Sequence, residues 1–141
     1  MNSINGFFGE YRFLSNYTLA EVIYEGDVYP STEHAYQAAK SLDRKERIPL
    51  MKADCTCKWA KHLGYGMILQ KNWDQIKYEI MFELVRQKFT NHLDLKTKLL
   101  ATGSAYLEET NTWNDKYWGV CHGIGQNNLG KILMKVRSGL G

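Results

Sequence analysis

The sequence predicts a mainly helical fold with one small β-hairpin, and three stretches carry this prediction. The clearest is the segment 72–89, where apolar residues recur at helical spacing in two adjacent rows. The second is the segment 21–29, where β-branched and aromatic residues flank a turn signal at Gly26 and Asp27. The third is the segment 30–40, where small polar residues directly after the hairpin can cap a helix.

The remaining elements follow from the same kinds of signal. Pro30 should end the second hairpin strand, and Trp59 is expected in the core. Pro49 should interrupt one short helix and Gly64 should close the next. The further elements predicted are short helices at 43–52, 56–63 and 94–101, a last helix with an apolar face over 129–136, and a strand at 105–109.

Length and composition predict one domain that spans residues 1–141. No linker, repeat or low-complexity run divides the 141 residues. The net charge of +3 is small and its positive residues are scattered, which argues against duplex DNA as a partner and suits a phosphorylated small ligand. Aromatic residues make up 13% of the chain, and several of them fall in loops rather than in periodic segments.

The sequence also favours a reducing, cytoplasmic compartment. The N-terminus lacks the pattern of a signal peptide, and no apolar stretch approaches the length of a membrane span, so no membrane association is expected. The cysteine count of three is odd, which argues for free thiols. An alternative is a zinc site built from the cysteine and histidine residues Cys55, Cys57, His62, Cys121 and His122, although their spacing matches no usual structural pair.

The helix predicted within 30–40 places three polar side chains in one stripe. Glu33, Gln37 and Lys40 stand at i, i+4 and i+7, and alanines on the other faces allow close packing. An acid, an amide and an ammonium in a row suit a polar ligand. The alternative is that Glu33 only supports the helix start, through the helix dipole, and that the stripe is solvated.

Two further positions admit two interpretations each. Arg12 lies inside an aromatic run, where a guanidinium can grip a phosphate or stack on a base, or it can pair with Glu10 or Glu33. Trp73 lies at the start of the 72–89 helix and outside its apolar rows, where it can stack on a flat heterocycle or form a packing lid.

The loop 111–119 concentrates aromatic and amide side chains, which requires either burial or a ligand. It is followed by Gly123 and Gly125 ahead of the last helix. Glycines in this position can expose backbone N–H groups to an anion, although such glycines more often only form turns.

Motifs are spaced along nearly the whole chain, from Phe7 to Arg137, in this order: Phe13-Leu-Ser-Asn-Tyr17, Ser31-Thr-Glu-His-Ala-Tyr-Gln-Ala-Ala-Lys40, Ala60-Lys-His-Leu-Gly64, Asn72-Trp-Asp74, Lys88-Phe89, Leu99-Leu-Ala-Thr-Gly103, Asp115-Lys-Tyr-Trp-Gly119 and Asn128-Leu-Gly-Lys-Ile-Leu-Met134. Together they resemble the NADAR family, also called YbiA-like. The second and seventh motifs are specific in combination. Tyr17 stands where Phe is more common, a departure that leaves the expected chemistry untouched.

The resemblance implies a mainly helical α+β fold with a small sheet, of the YbiA-like type, and an N-glycosidase activity. Members of the family act on ribosyl N-glycosidic bonds, and one branch hydrolyses phosphoribosylated pyrimidine intermediates of riboflavin synthesis. Relatives handle ADP-ribose, including its removal from modified guanine in nucleic acid. The positions that match the family's functional residues are Glu33, Trp73, Asp115 and Trp118.

These residue types suit the implied reaction, in which a ribosyl C1′–N bond breaks through a cation-like centre. Glu33 and Asp115 would act as the catalytic carboxylates, with no metal or cofactor required. The expected substrate-binding residues are Arg12, Asn16, Gln37, Lys40, Trp73, Trp118, Gly119 and Asn128. The two tryptophans would hold the base, and Arg12, Lys40 and the glycines before the last helix would meet a phosphate.

Two alternatives of other classes stay open. The same residues would suit a module that binds ADP-ribose or NAD without turning it over, although a pure binder has no need of two carboxylates. A nucleic-acid accessory protein would use exposed aromatics, but the chain lacks a basic stripe. The oligomeric state is left open.

Overall fold

The computed structural model describes residues 2–141 and contains six α-helices and six short strands within them. The helices are α1 (Thr32–Ala39), α2 (Arg44–Arg47), α3 (Cys57–Tyr65), α4 (Trp73–Asn91), α5 (Leu93–Ala101) and α6 (Asn128–Leu140). The strands are β1 (Ser3–Asn5), β2 (Leu19–Tyr24), β3 (Asp27–Ser31), β4 (Tyr106–Glu108), β5 (Thr110–Asn111) and β6 (Val120–Cys121). Two 3₁₀ helices lie at Gly9–Leu14 and Ile48–Met51. The prediction of a mainly helical α+β fold is therefore confirmed.

The chain divides into two compact units, which we describe separately. The central unit is Asn16–Lys88, and the terminal unit combines the residues up to Ser15 with Phe89–Gly141. The central unit contains the antiparallel hairpin β2–β3 and the helices from α1 to most of α4. The terminal unit contains the parallel pairs β1–β4 and β5–β6 together with α5 and α6.

The hairpin of the central unit confirms the predicted pairing and corrects its turn. The two turn residues are Glu25 and Gly26, which have positive φ values of 49° and 86°, rather than Gly26 and Asp27. Asp27 already pairs with Tyr24 across the strands. The prediction that Pro30 ends the second strand is also wrong, because β3 continues to Ser31. A proline fits on an edge strand, since no ladder hydrogen bond is then lost.

Helix α1 is the core element of the central unit. All of its residues from Thr32 to Ala39 are buried, and Ala35, Ala38 and Ala39 are completely covered. It packs against β2, β3 and α3. The small side chains let these elements approach closely, as the sequence predicts.

Two predictions about α3 are wrong. Trp59 is not in the core: its side chain is 52% exposed and stacks on the ring of His62 at 4.8 Å between centroids. Gly64 does not close the helix, which runs on to Tyr65 and is capped by Gly66. Gly64 is instead a buried residue of the helix interior.

In the terminal unit, α6 shows the predicted apolar face. Leu129, Ile132, Leu133 and Val136 are all buried. The helix packs against β4 and α5. Across residues 2–141, no helix combines the length and the apolar character needed to cross a bilayer.

Candidate active site

The start of α1 is held by hydrogen bonds between buried residues. Ser31 caps the helix, because its Oγ accepts the N–H of His34 at 3.2 Å. The His34 ring lies between two oxygens, with Nδ1 at 2.6 Å from Ser31 Oγ and Nε2 at 2.6 Å from the carbonyl oxygen of Cys55. A carbonyl oxygen only accepts, so Nε2 carries the proton and Nδ1 accepts the Ser31 hydroxyl. The hydrogen bond between His34 and Cys55 thus holds the first turn of α1 against the segment that precedes α3.

Burial favours the neutral form of this ring. It lowers the pKa of His34, and the hydrogen bond to Cys55 opposes that shift only in part. A neutral ring can accept at one nitrogen and donate at the other, which the observed contacts require.

Glu33 stands in this first turn, and its side chain is only 8% exposed. Its Oε2 accepts a hydrogen bond of 2.6 Å from Nε2 of Gln37, one turn further along α1. Gln37 is 4% exposed, so the interpretation of a solvated stripe is wrong for both residues. A buried carboxylate is costly, and here an amide donor and the positive end of the helix dipole offset part of that cost.

Three residues that adjoin Glu33 in sequence or by a hydrogen bond carry buried polar atoms without a partner. Within residues 2–141, Oδ1 of Asn16, Oγ1 of Thr32 and Oε1 of Gln37 are buried and have no hydrogen-bond partner. Thr32 precedes Glu33, and the carbonyl oxygen of Asn16 accepts the Glu33 N–H at 3.2 Å. Each such atom costs about 1–3 kcal/mol unless something pairs with it. Hydroxyl groups of a bound sugar are suitable donors for these oxygens.

Gly64 makes room for this arrangement. A Cβ atom at Gly64 would lie 1.8 Å from Oε1 of Gln37, which real contacts do not permit. The absence of a side chain on α3 therefore allows the Gln37 amide to stay in place beside Glu33. This is a packing role that the helix-ending interpretation of Gly64 overlooked.

An aromatic pair and a lysine extend the site along α1. Trp73, at the start of α4, is only 6% exposed, and its ring contacts Tyr36 at 5.4 Å between centroids with a tilt of 47°. Nζ of Lys40 lies 5.6 Å from the centroid of the same Tyr36 ring. Burial lowers the pKa of Lys40, the Glu33 carboxylate opposes that shift, and the Lys61 and Lys77 ammonium groups add to it.

The central unit thus brings together Glu33, Gln37, Lys40, Asn16 and Trp73. The sequence interpretation missed Thr32 and Tyr36 as members of this group. Tyr36 stands one turn before Lys40, and this spacing is the signal that would have found it. Stacking of a base on Trp73 stays a prediction.

Asp115 and Trp118 lie in a loop of the terminal unit. Oδ1 of Asp115 accepts the N–H groups of Tyr117 at 3.2 Å and of Trp118 at 2.9 Å. The Asn111 side chain holds the backbone of Asp115, accepting its N–H at 3.0 Å and donating to its carbonyl oxygen at 2.9 Å. One carboxylate oxygen of Asp115 is therefore used to shape its own loop. The catalytic role of Asp115 and the binding role of Trp118 stay predictions.

The loop 111–119 is anchored to the start of α6. The N–H groups of the four residues from Gln126 to Leu129 donate to the carbonyl oxygens of Lys116, Gly119, Tyr117 and Trp118 respectively. These four N–H groups are therefore not available to an anion, and the contact of a phosphate with the glycines Gly123 and Gly125 stays a prediction. Gly119 is needed for close approach, since a Cβ there would lie 2.1 Å from the carbonyl oxygen of Glu109.

The structure also locates two other predicted substrate-binding residues, which both belong to the terminal unit. Asn128 is buried at 8% exposure, and its Nδ2 donates to Oε1 of Gln126 at 3.3 Å. Arg12 lies in the 3₁₀ helix Gly9–Leu14 with an exposed side chain. Contact of either residue with substrate stays a prediction.

The cysteines do not assemble a metal centre in the part of the chain that the structure describes, where no three His, Cys, Asp or Glu side chains are placed to hold an ion. Cys57 instead lies within 3.5 Å of Ser31 Oγ and 3.3 Å of the carbonyl oxygen of Tyr17. The three thiols are buried and free.

One family model matches nearly the whole chain. The model of the NADAR domain matches residues 4–141. This chain belongs to the NADAR family. The resemblance inferred from the motifs is therefore confirmed.

Three named proteins are similar in sequence to this chain. It is 37% identical to N-glycosidase YbiA of Escherichia coli K12 over 93% of this chain and 82% of that protein. It is 37% identical to N-glycosidase Npun_R5314 of Nostoc punctiforme over 90% and 84% of the two chains. It is 35% identical to the riboflavin biosynthesis protein VVA0006 of Vibrio vulnificus over 91% of this chain but 35% of that longer protein.

The NADAR fold is also matched in three dimensions. The NMR structure of Escherichia coli YbiA superposes with a TM-score of 0.87 and 35% sequence identity, covering 99% of this chain and 84% of that one. The fold predicted from the motifs is confirmed by this similarity.

Proposed function

We propose that this protein hydrolyses the bond between C1′ of a ribosyl group and a nitrogen, and that its substrate is a phosphoribosylated pyrimidine intermediate of riboflavin synthesis. The names of its relatives support the broader part: the chain is a hydrolase that acts on N-glycosyl bonds. The name of the Vibrio relative supports riboflavin synthesis as the setting.

The observation that carries the proposal is the environment of Glu33. Its carboxylate is buried and accepts a hydrogen bond from Gln37, and two residues that adjoin its backbone, Asn16 and Thr32, carry buried side-chain oxygens without a hydrogen-bond partner. A helix that only needed a first-turn acid for its dipole would leave that acid in solvent. A carboxylate oriented among unpaired polar atoms suits a sugar whose hydroxyl groups complete those hydrogen bonds.

The proposed reaction balances with water alone. Water attacks C1′, the C1′–N bond breaks and a C1′–O bond forms. One proton leaves the water and one proton is taken up by the departing nitrogen. Glu33 would accept the proton from water or stabilise the positive charge that develops at C1′. Gln37 orients the carboxylate for this task, and Lys40 would meet the phosphate of the substrate.

The test is incubation with a phosphoribosylaminopyrimidine, with the products read by mass spectrometry. We expect ribose 5-phosphate and the free base from the wild type, and at most traces from Glu33→Gln. If the wild type releases no ribose phosphate from any phosphoribosylated pyrimidine, the substrate part of the proposal is wrong.

A parallel incubation with DNA that carries ADP-ribosylated guanine separates the alternatives. Release of ADP-ribose from this DNA, without turnover of the pyrimidine, would show that modified nucleic acid is the substrate. Tight binding of ADP-ribose with no release from any substrate would make the protein a binding module.

We propose a small molecule as the partner and the cytoplasm as the location. Three buried cysteines that form no disulfide support a reducing compartment.

A further inference from the structure

We infer that a cavity of the terminal unit binds a small zwitterion with an apolar body, such as a free amino acid or a dipeptide, through Glu10 and Lys98. The cavity has a volume of about 560 Å³. This volume is within the range of small-molecule binding sites. No residue that lines the cavity is a predicted catalytic or substrate-binding residue, so the inference is independent of the proposed function.

Three elements of the terminal unit supply most of the lining. Strand β1 contributes Ile4, the 3₁₀ helix Gly9–Leu14 contributes Glu10 and Phe13, and the last turn of α5 contributes Lys98. The 3₁₀ helix packs against α5, and β1 pairs with β4. The whole cavity therefore belongs to one compact unit.

The buried part of the lining is apolar. Ile4, Phe13 and Ala105 line the cavity, and each of them is at most 8% exposed. The Phe13 ring also packs edge-on against Phe89, with 6.5 Å between the ring centroids. Apolar surface at the bottom of a cavity favours a ligand that has an apolar body.

Two opposite charges stand at the open rim of the cavity. Glu10 and Lys98 both line it, and both side chains are exposed. Within residues 2–141, no salt bridge joins these two side chains. Nζ of Lys98 lies 5.9 Å from the centroid of the Phe13 ring, so a ligand carboxylate at Lys98 would lie next to the apolar part of the lining. A ligand ammonium group at Glu10 would complete the complementary pair.

Tyr11 supports the acidic side of the rim. It also lines the cavity, and its hydrogen bond with the Glu10 carboxylate raises the pKa of Tyr11. The hydroxyl group therefore keeps its proton and donates to Glu10. A carboxylate has about four acceptor positions, so Glu10 retains capacity for the N–H groups of a ligand.

The end of α5 does not account for the ammonium group of Lys98. Lysines near the end of a helix often bond its last carbonyl oxygens. Here the carbonyl oxygen of Leu99 accepts the N–H of Thr102 at 3.1 Å and its hydroxyl at 2.6 Å. The carbonyl oxygen of Leu100 accepts the N–H of Gly103 at 3.0 Å. These hydrogen bonds are made by the residues that follow α5, and the cavity is what Lys98 adjoins.

The test is an NMR titration of the isotope-labelled protein with L-phenylalanine and with the dipeptide glycyl-phenylalanine. We expect at least one of these zwitterions to shift the amide resonances of the lining residues. Two analogues test each charge separately, since phenylalaninamide lacks the carboxylate and N-acetylphenylalanine lacks the ammonium group. Each analogue should bind about fivefold more weakly than L-phenylalanine, the upper end for a solvent-exposed ion pair.

Two variants assign the charges to their partners. Lys98→Gln should weaken binding of L-phenylalanine about fivefold and leave binding of phenylalaninamide unchanged. Glu10→Gln should weaken binding of L-phenylalanine by the same factor and leave binding of N-acetylphenylalanine unchanged. The matched controls are Lys96→Gln, on the same helix, and Glu79→Gln, on α4, since neither residue lines the cavity. Thermal melts of all four proteins check that they fold.

Three results would overturn the inference. They are unchanged resonances of the lining residues with both zwitterions, equal affinity for L-phenylalanine and its two analogues, and equal affinity of both variants and their controls. Tighter binding of the amino acid than of the dipeptide would support a ligand with closely spaced charges, and the reverse order would support a peptide. Turnover is not measured, so failure of the proposed function leaves this result unaffected.

Discussion

The two carboxylates that the sequence singles out sit in opposite kinds of environment. Glu33 is in a buried helix, and its carboxylate accepts a hydrogen bond from the side-chain amide of Gln37, whose own oxygen is buried without a partner. Asp115 is in a loop, and one of its oxygens accepts two N–H groups of that loop. The first arrangement leaves hydrogen-bonding capacity for a ligand, whereas the second uses that capacity to hold the backbone.

This difference indicates that the two residues have different primary tasks. Removing charge from Glu33 should affect the reaction and spare the fold. Removing hydrogen-bond acceptors from Asp115 should affect the fold of its loop first.

Glu33→Gln should lower kcat by at least about 10²-fold, which is typical for removal of a general acid or base. The melting temperature should change little, because the new amide still accepts from Gln37. The measurement is steady-state kinetics with a thermal melt of the same protein. Near-normal turnover, or loss of activity through unfolding, would show that Glu33 has a structural role. Asp115 would then be the candidate for the catalytic carboxylate.

Trp73→Ala and Trp118→Ala should each weaken substrate binding by about 1–3 kcal/mol, the range for stacking of a base on an aromatic ring. Trp59→Ala is the matched control, since that indole is 52% exposed on α3 and has no proposed role. The measurement is a tryptophan-fluorescence titration. Binding curves that both Trp73→Ala and Trp118→Ala share with the wild type would argue against stacking.

Asp115→Ala should lower the free energy of unfolding by about 1–2 kcal/mol, because the N–H groups of Tyr117 and Trp118 lose their acceptor. Asp115→Asn keeps an acceptor oxygen and should be nearly as stable as the wild type. Chemical denaturation gives both values. A stable Asp115→Asn protein with strongly reduced kcat would show that the Asp115 charge takes part in the chemistry.

Arg12→Lys should raise KM for a phosphorylated substrate by about threefold and leave KM for the dephosphorylated form unchanged, because lysine lacks the bidentate geometry of a guanidinium. Arg12 is exposed, so the fold should tolerate the change. Equal effects on the two substrates would show that Arg12 does not meet the phosphate.

Acidification should loosen the start of α1. The folded-state pKa of His34 is lowered, so the unfolded chain binds the extra proton more readily. The stability that neutral His34 contributes is present above the unfolded pKa of about 6.5 and is lost as the pH falls below it. Hydrogen exchange of α1 across this window is the measurement, and His34→Gln, which does not titrate there, should remove the pH dependence.

Local patterns were enough to predict a large part of this molecule. The strand pairing of the hairpin, a polar cap at the start of α1, the apolar face of α6 and the shared stripe of Glu33 and Gln37 all depend on residues close in sequence. Helical and strand periodicities determine which neighbours meet, so these features needed no knowledge of the rest of the chain.

Only the tertiary structure decided which faces are covered. Trp59 and Trp73 both lie in helices, yet the first is exposed and the second is buried against Tyr36. The role of Gly64 beside Gln37 is of the same kind. These features depend on which helix packs against which. The periodicity of one segment determines which side chains share a face, but it does not determine which neighbouring element covers that face.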